Sequence, residues 1–257
     1  MSKKPLGVLI LHGFSSSLDS VNKLEAPIQA LGLPTRMPVL RGHCASSPEA
    51  LRGVIWQDWV ADAEAAMQDL LIEVEKVIVF GFSMGGLVAL TVAAGHGPQV
   101  DSLIMMSAAI QLVSPLAPGR PLNFLVPVVR TIVKKWDLPA VYADMSLAQY
   151  DTNYRWTPMD ALLSFVEFTK VTRNRLAEVH APALIIQSRK DTTAAPESAE
   201  IIRNGIATPA EQKRIAWLEI SDHELLQDCE QEAVLALILQ YVRERAGQLQ
   251  TEREIAG

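Results

Sequence analysis

The hexapeptide Gly81-Phe82-Ser83-Met84-Gly85-Gly86 lies between a short apolar run, Val77-Ile78-Val79-Phe80, and a helical pattern from Met84 to Ala94. A serine flanked by glycines between a strand and a helix matches the G-x-S-x-G elbow, which demands a particular backbone. The turn forces the serine into a strained conformation, and side chains at the flanking glycines would collide with neighbouring backbone. Its hydroxyl is lifted above the sheet edge, with a helix N-terminus pointing at it. The competing reading is a serine in an ordinary βα turn.

The rest of the chain supplies the sheet such an elbow needs. Leu6 to Leu11, Pro34 to Leu40, Val77 to Phe80, Val100 to Met106, Ala183 to Gln187 and Arg214 to Ile220 read as six strands. Helical patterns alternate with them over Asp19 to Leu31, Trp56 to Glu73, Met84 to Ala94, Pro196 to Ile206 and Asp228 to Arg245. Near-continuous apolar strands alternating with helices imply an α/β fold: a mostly parallel sheet with helices on both faces. Reactive groups in such sheets gather at the carboxyl ends of the strands.

Residues 110 to 179 break the rhythm. The segment is proline-rich and reads as helices without strands, with an apolar stretch Leu122 to Trp136 and an amphipathic helix Thr157 to Leu176. The simplest arrangement is a helical cap, residues 110–175, inserted into a core formed by 1–109 and 176–257. An extra helical layer and a dimer interface remain as alternatives. The tail Thr251 to Gly257 is expected to fray.

The net charge of −6 counts against a nucleic-acid binder, which would need a basic face. Cys44 and Cys229 lack disulfide-framework or zinc spacing and read as reduced thiols in a cytoplasmic protein. Lys3 and Lys4 before an apolar run resemble a signal peptide superficially, but the run is short and no cleavage site follows. No stretch of about 18 apolar residues offers a transmembrane helix.

A serine hydroxyl needs a base to take its proton. Among five histidines, His223 follows the last strand, where a loop can reach back to Ser83. Ser221 and Glu224 also have capping-box spacing, so a helix cap with an exposed histidine is the alternative. Asp191 follows the strand ending at Gln187 and completes the order Ser83, Asp191, His223. Asp222 is its rival but adjoins the histidine, and Asp101 opens its strand at the wrong edge. Oxyanion donors are expected from the backbone amides of Met84 and Phe14, the latter beside Gly13 in the loop after the first strand. His12 and His43 read as braces for their loops.

These residues resemble the α/β-hydrolase family, in particular its bacterial carboxylesterases and monoacylglycerol lipases. The matching pieces are Leu11-His12-Gly13-Phe14, Arg41-Gly42-His43, the elbow, Trp56-Gln57-Asp58-Trp59, Asp191 and His223, spread over nearly the whole chain. Cys44 and Ser188 depart from the family pattern, where glycine is common. The resemblance implies hydrolysis of carboxylic esters through an acyl-enzyme on Ser83, with no metal or organic cofactor and with the cap forming the acyl pocket. The apolar content of the cap makes Phe124, Leu125, Val128, Val129, Ile132 and Trp136 one expected wall, and Leu162, Phe165 and Val166 another. Short-to-medium acyl esters or monoacylglycerols are the expected substrates of a monomer or homodimer. C–C bond hydrolase, thioesterase, amidase and acyltransferase are alternatives within the fold, and a non-catalytic ligand-binding protein is one outside enzymology.

Overall fold

The computed structural model describes residues 3–256. β1 (Lys4–Leu11) opens the chain, followed by two 3-10 turns and a short α1 (Glu25–Gln29). The sequence pattern spans Asp19 to Leu31, but Pro27 dictates where the α-helix begins. Proline is tolerated in a first helical turn, whereas extending the helix upstream would drive its ring into a preceding carbonyl. Likewise β2 shrinks to Thr35–Arg36 between Pro34 and Pro38, which cannot donate to a ladder. Next come α2 (Trp56–Glu73), β3 (Val74–Phe82), α3 (Met84–His96) and β4 (Val100–Met106), close to the periodicity that announced them.

Between β4 and the next core strand lie α4 (Val126–Ile132), β5 (Lys135–Asp137), β6 (Trp156–Pro158) and α5 (Met159–Asn174). The expectation of helices without strands is corrected here: β5 and β6 pair antiparallel, with Trp136 opposite Thr157. Three residues apiece give no readable alternation, and proline ends β6. The amphipathic α5 turns Phe165, Phe168 and Thr172 inward and packs against α2 and α3.

The chain closes with β7 (Ala183–Ser188), α6 (Glu197–Gly205), β8 (Lys213–Leu218) and α7 (Gln231–Ala256). Thr251 onward continues α7 to Ala256, and Gly257 lies outside the described residues. The main sheet has six strands in the order β2-β1-β3-β4-β7-β8, every pairing parallel.

Strand alternation sorts the core into two layers. Leu9, Leu11, Val77, Val79, Leu103, Met105 and Ile185 pack with α2, α3 and α6. Their neighbours Val8, Ile10, Ile78, Phe80, Ile104, Met106, Leu184 and Ile186 pack on the other face with α1 and α7. Burial on both faces is why these strands read as unbroken apolar runs. Among the described residues no helix is long and apolar enough to cross a membrane.

Candidate active site

Ser83 sits between β3 and α3 with φ 53° and ψ −114°, a backbone that a side-chain-bearing residue rarely adopts. Two glycines make this turn possible. A Cβ on Gly81 would run into the backbone of Gly85, and one on Gly85 would strike the carbonyls of Leu11 and His12. The turn is also anchored by Ser83 N–H donating to the Met106 carbonyl at 2.9 Å.

The structure brings Ser83, His223 and Asp191 together although 140 residues separate serine from histidine. Ser83 Oγ lies 3.0 Å from His223 Nε2, and His223 Nδ1 lies 2.9 and 3.0 Å from the two Asp191 oxygens. Asp191 Oδ1 also accepts from the Thr193 and Ala194 amides (2.9 and 2.8 Å), while Oδ2 accepts from Gln187 Nε2 (2.9 Å). All three relay residues are buried. Burial by itself would lower the His223 pKa. The charge and hydrogen bond of Asp191, with Glu224 and Asp222 adding to them, raise it above the ordinary imidazole value. Such a relay can take the hydroxyl proton from Ser83 and hold the cation that forms.

The rival acids have other work. Asp222 accepts from the Thr192 amide and hydroxyl, bridging the two loops. Asp101 pairs twice with the Arg245 guanidinium, at 2.8 and 2.9 Å. No helix starts at Ser221: its hydroxyl instead accepts from the Glu230 amide, while Glu230 returns a bond to Ser221 N–H. Two supports were not anticipated. Ser188 Oγ donates to the Ser221 carbonyl, tying the end of β7 to the loop that carries His223. Asp228, just ahead of α7, accepts from the amides of Asp222, Ala143 and Asp144, joining the base loop to the inserted segment. A polar residue at a strand end or in a loop carries no periodicity, and although Ser188 stood out as a departure from the family pattern, nothing in the sequence gave either residue its bracing role.

The loop after β1 comes close to the serine, with Gly13 allowing the approach: a Cβ there would sit 3.2 Å from Ser83 Cβ. Two buried histidines fix this loop. His12 Nδ1–H donates to the Gly13 carbonyl (2.9 Å), and Nε2 accepts from Leu40 N–H (3.0 Å). His43 Nδ1–H donates to the Leu40 carbonyl (3.0 Å), and Nε2 accepts from Ser15 N–H (3.0 Å). Both rings must be neutral to accept, and burial lowers their pKa values to about 4 and about 3. Met84, first in α3, has no carbonyl partner within its helix for its amide. The Phe14 amide donates to no carbonyl among the described residues.

A cavity of about 440 Å³ opens over Ser83 and His223. Leu162, Phe165, Val166, Val129 and Trp136 line it, and Phe14 stacks on Phe165 with ring centroids 4.8 Å apart. Phe124, Leu125, Val128 and Ile132 do not. They are 72, 37, 59 and 76% exposed, on the outer side of α4 and its preceding turn. That helix is apolar on nearly every face, so composition could not tell which side turns inward. Val126 and Val129 do, whereas 125, 128 and 132 lie together on the opposite face at helical spacing. The lining also carries polar residues: Asp151, Asn153, Arg155 and Glu224, linked to one another by hydrogen bonds and an ion pair, together with Arg130, Asp137 and Thr192.

A family model described as serine aminopeptidase, S33, matches residues 3–230. The thermostable monoacylglycerol lipase of Bacillus sp. (strain H-257) is 27% identical over 246 residues, covering 95% of this chain and 92% of that protein. The carboxylesterase of Bacillus subtilis (strain 168) is 24% identical over 228 residues, 88% of each chain. Among solved structures, one from work on LipS and LipT, two metagenome-derived lipolytic enzymes, superposes with a TM-score of 0.81. It is 27% identical, over 94% of this chain and 95% of that one.

Proposed function

The chain belongs to the serine aminopeptidase S33 family of α/β-hydrolases, and from that membership we propose that it is a serine carboxylic-ester hydrolase for short-to-medium acyl esters or monoacylglycerols. The observation that carries this reading is the continuous relay Ser83–His223–Asp191 beneath a largely apolar cavity. The named relatives, a monoacylglycerol lipase and a carboxylesterase, support the ester class.

Ser83 Oγ attacks the ester carbonyl as His223 Nε2 takes its proton, forming a tetrahedral oxyanion. The Phe14 and Met84 amides supply the hydrogen bonds that receive it, each of a kind whose loss costs about a hundred- to a thousandfold in rate. His223 then returns the proton to the leaving alcohol, giving an acyl-Ser83 ester and the free alcohol. Water, deprotonated by His223, attacks that ester and releases the acid. Asp191 holds the imidazole with Nε2 toward the serine and stabilises its cation. Residues 110–175 act as the cap, in which Leu162 and Phe165, with Val129, Trp136 and Val166, hold the acyl chain.

The test is hydrolysis of p-nitrophenyl esters from acetate to palmitate. Turnover is expected to peak at intermediate chains, because an apolar pocket of this volume rewards added methylenes only until it is full. Negligible turnover of every ester by folded protein would sink the reading and favour a C–C bond hydrolase or an acyltransferase. The pH profile provides a further expectation. Attack requires neutral His223, whose pKa stands above its ordinary value. Activity on a soluble ester should therefore fall as pH drops, with the acid limb of kcat/KM centred above about pH 6.5. A limb centred well below that value would count against His223 as the base.

A further inference from the structure

The polar part of the cavity lining holds a carboxyl group that the relay does not use. Glu224 directly follows His223, is only 5% exposed and lines the same cavity. Its Oε1 accepts a hydrogen bond from Asn153 Nδ2 at 2.8 Å. No described residue donates to its Oε2. Asn153 is itself held in place: its Oδ1 accepts from the Ser17 amide (3.1 Å) and its own amide donates to Asp151 Oδ1 (2.8 Å). Burial, opposed by the charge of His223, raises the Glu224 pKa to about 7. An acceptor with no protein donor that faces the cavity is free to take a hydrogen bond from a group bound there.

We propose that Glu224 determines specificity, its open carboxyl oxygen accepting a hydrogen bond from a hydroxyl group on the alcohol portion of the ester. This rests on the ester-hydrolase reading above. The alcohol side is assigned from the chemistry: His223 Nε2 must face the leaving oxygen to protonate it, and Glu224 lines the same cavity as that imidazole. The acyl side has the apolar wall of Val129, Trp136, Leu162 and Phe165. A neutral hydroxyl suits the corner better than an ammonium group. Arg155 balances Asp151, with Nη1 3.0 Å from Oδ2, Arg130 matches Asp137 among the lining residues, and burial resists ionisation of Glu224, so little net negative charge is left to offset a cation.

A matched pair of butanoates, the 1-glyceryl ester and the propyl ester, separates the possibilities. The wild type is expected to favour the glyceryl ester in kcat/KM. Glu224→Leu should lower kcat/KM for the glyceryl ester by about 10- to 100-fold and for the propyl ester by less than about threefold. Glu224→Gln has one acceptor oxygen, for which Asn153 Nδ2 competes, so it presents an NH2 at the open position and should also lower kcat/KM for the glyceryl ester more than for the propyl ester. Equal losses on both esters would mean that Glu224 only props the His223 loop, and no loss on either would mean that it touches nothing. Either result overturns the proposal while leaving the ester reading intact. Parity between the two esters in the wild type also overturns it, without reliance on any variant. Wild-type protein that hydrolyses neither ester would overturn the functional reading, and this one with it.

Discussion

Ser83→Ala is expected to lower ester turnover by about four to six orders of magnitude while leaving the fold in place. The substitution removes only the atom bonded to His223 Nε2. The Cβ stays, so the strained turn, anchored through the Ser83 N–H and the two glycines, is unchanged. What remains is the acceleration that oxyanion donors and binding provide without a nucleophile. Turnover of p-nitrophenyl butanoate and labelling by a fluorophosphonate probe measure the loss. A thermal melt followed by circular dichroism checks the fold. Labelling that survives in the mutant would place the reactive group elsewhere.

Asp191→Asn should cost about three to four orders of magnitude in kcat, with a smaller change in KM. Asp191 accepts from His223 Nδ1, the amides of Thr193 and Ala194, and Gln187 Nε2. Asparagine has one acceptor oxygen, and the backbone amides at Oδ1 compete for it. Its NH2 then faces His223 Nδ1, which must accept rather than donate. The imidazole proton moves to Nε2, where it points at Ser83 and cannot take the hydroxyl proton. Removing the carboxylate charge also removes the main support for the raised His223 pKa, so the residual activity should have its acid limb at lower pH. A loss of less than about tenfold would pass the orienting role to another group, Asp222 being the nearest.

The sheet was readable in the sequence because its strands are buried on both faces. Val100 to Met106 has no polar interruption apart from Asp101 and Ser102, and the strand occupies those residues. The elbow was readable for a different reason. The glycines at 81 and 85 are sterically required, and a steric requirement leaves a fixed spacing. The position of a base after the last strand followed from topology, which is why His223 stood out from His12 and His43.

Readability failed where the constraint was purely tertiary. Val129 and Val128 are chemically identical, yet one lines the cavity and the other is 59% exposed, because the rotation of a short, mostly apolar helix is set by what it lies on. β5 (Lys135–Asp137) and β6 (Trp156–Pro158) are defined by each other across 18 intervening residues rather than by any local pattern. Ser188 braces a neighbouring loop through one hydrogen bond to remote backbone and Asp228 through several, and Glu224 suggested a capping box that no helix uses. Local propensity carries little information about contacts of that kind.

The separation of Ser83 from His223 along the chain has a consequence during synthesis. The elbow, β1, β3 and α3 all precede residue 97, whereas Asp191 lies beyond two further parallel strands, β4 and β7, and His223 beyond a third, β8, whose pairing closes slowly because the contacts are remote in sequence. A ribosome-bound chain therefore carries its serine for more than half of its elongation with no base to activate it. On the proposed mechanism, hydrolytic power switches on only when the last loop docks, and a truncated or unfinished product is chemically inert toward esters.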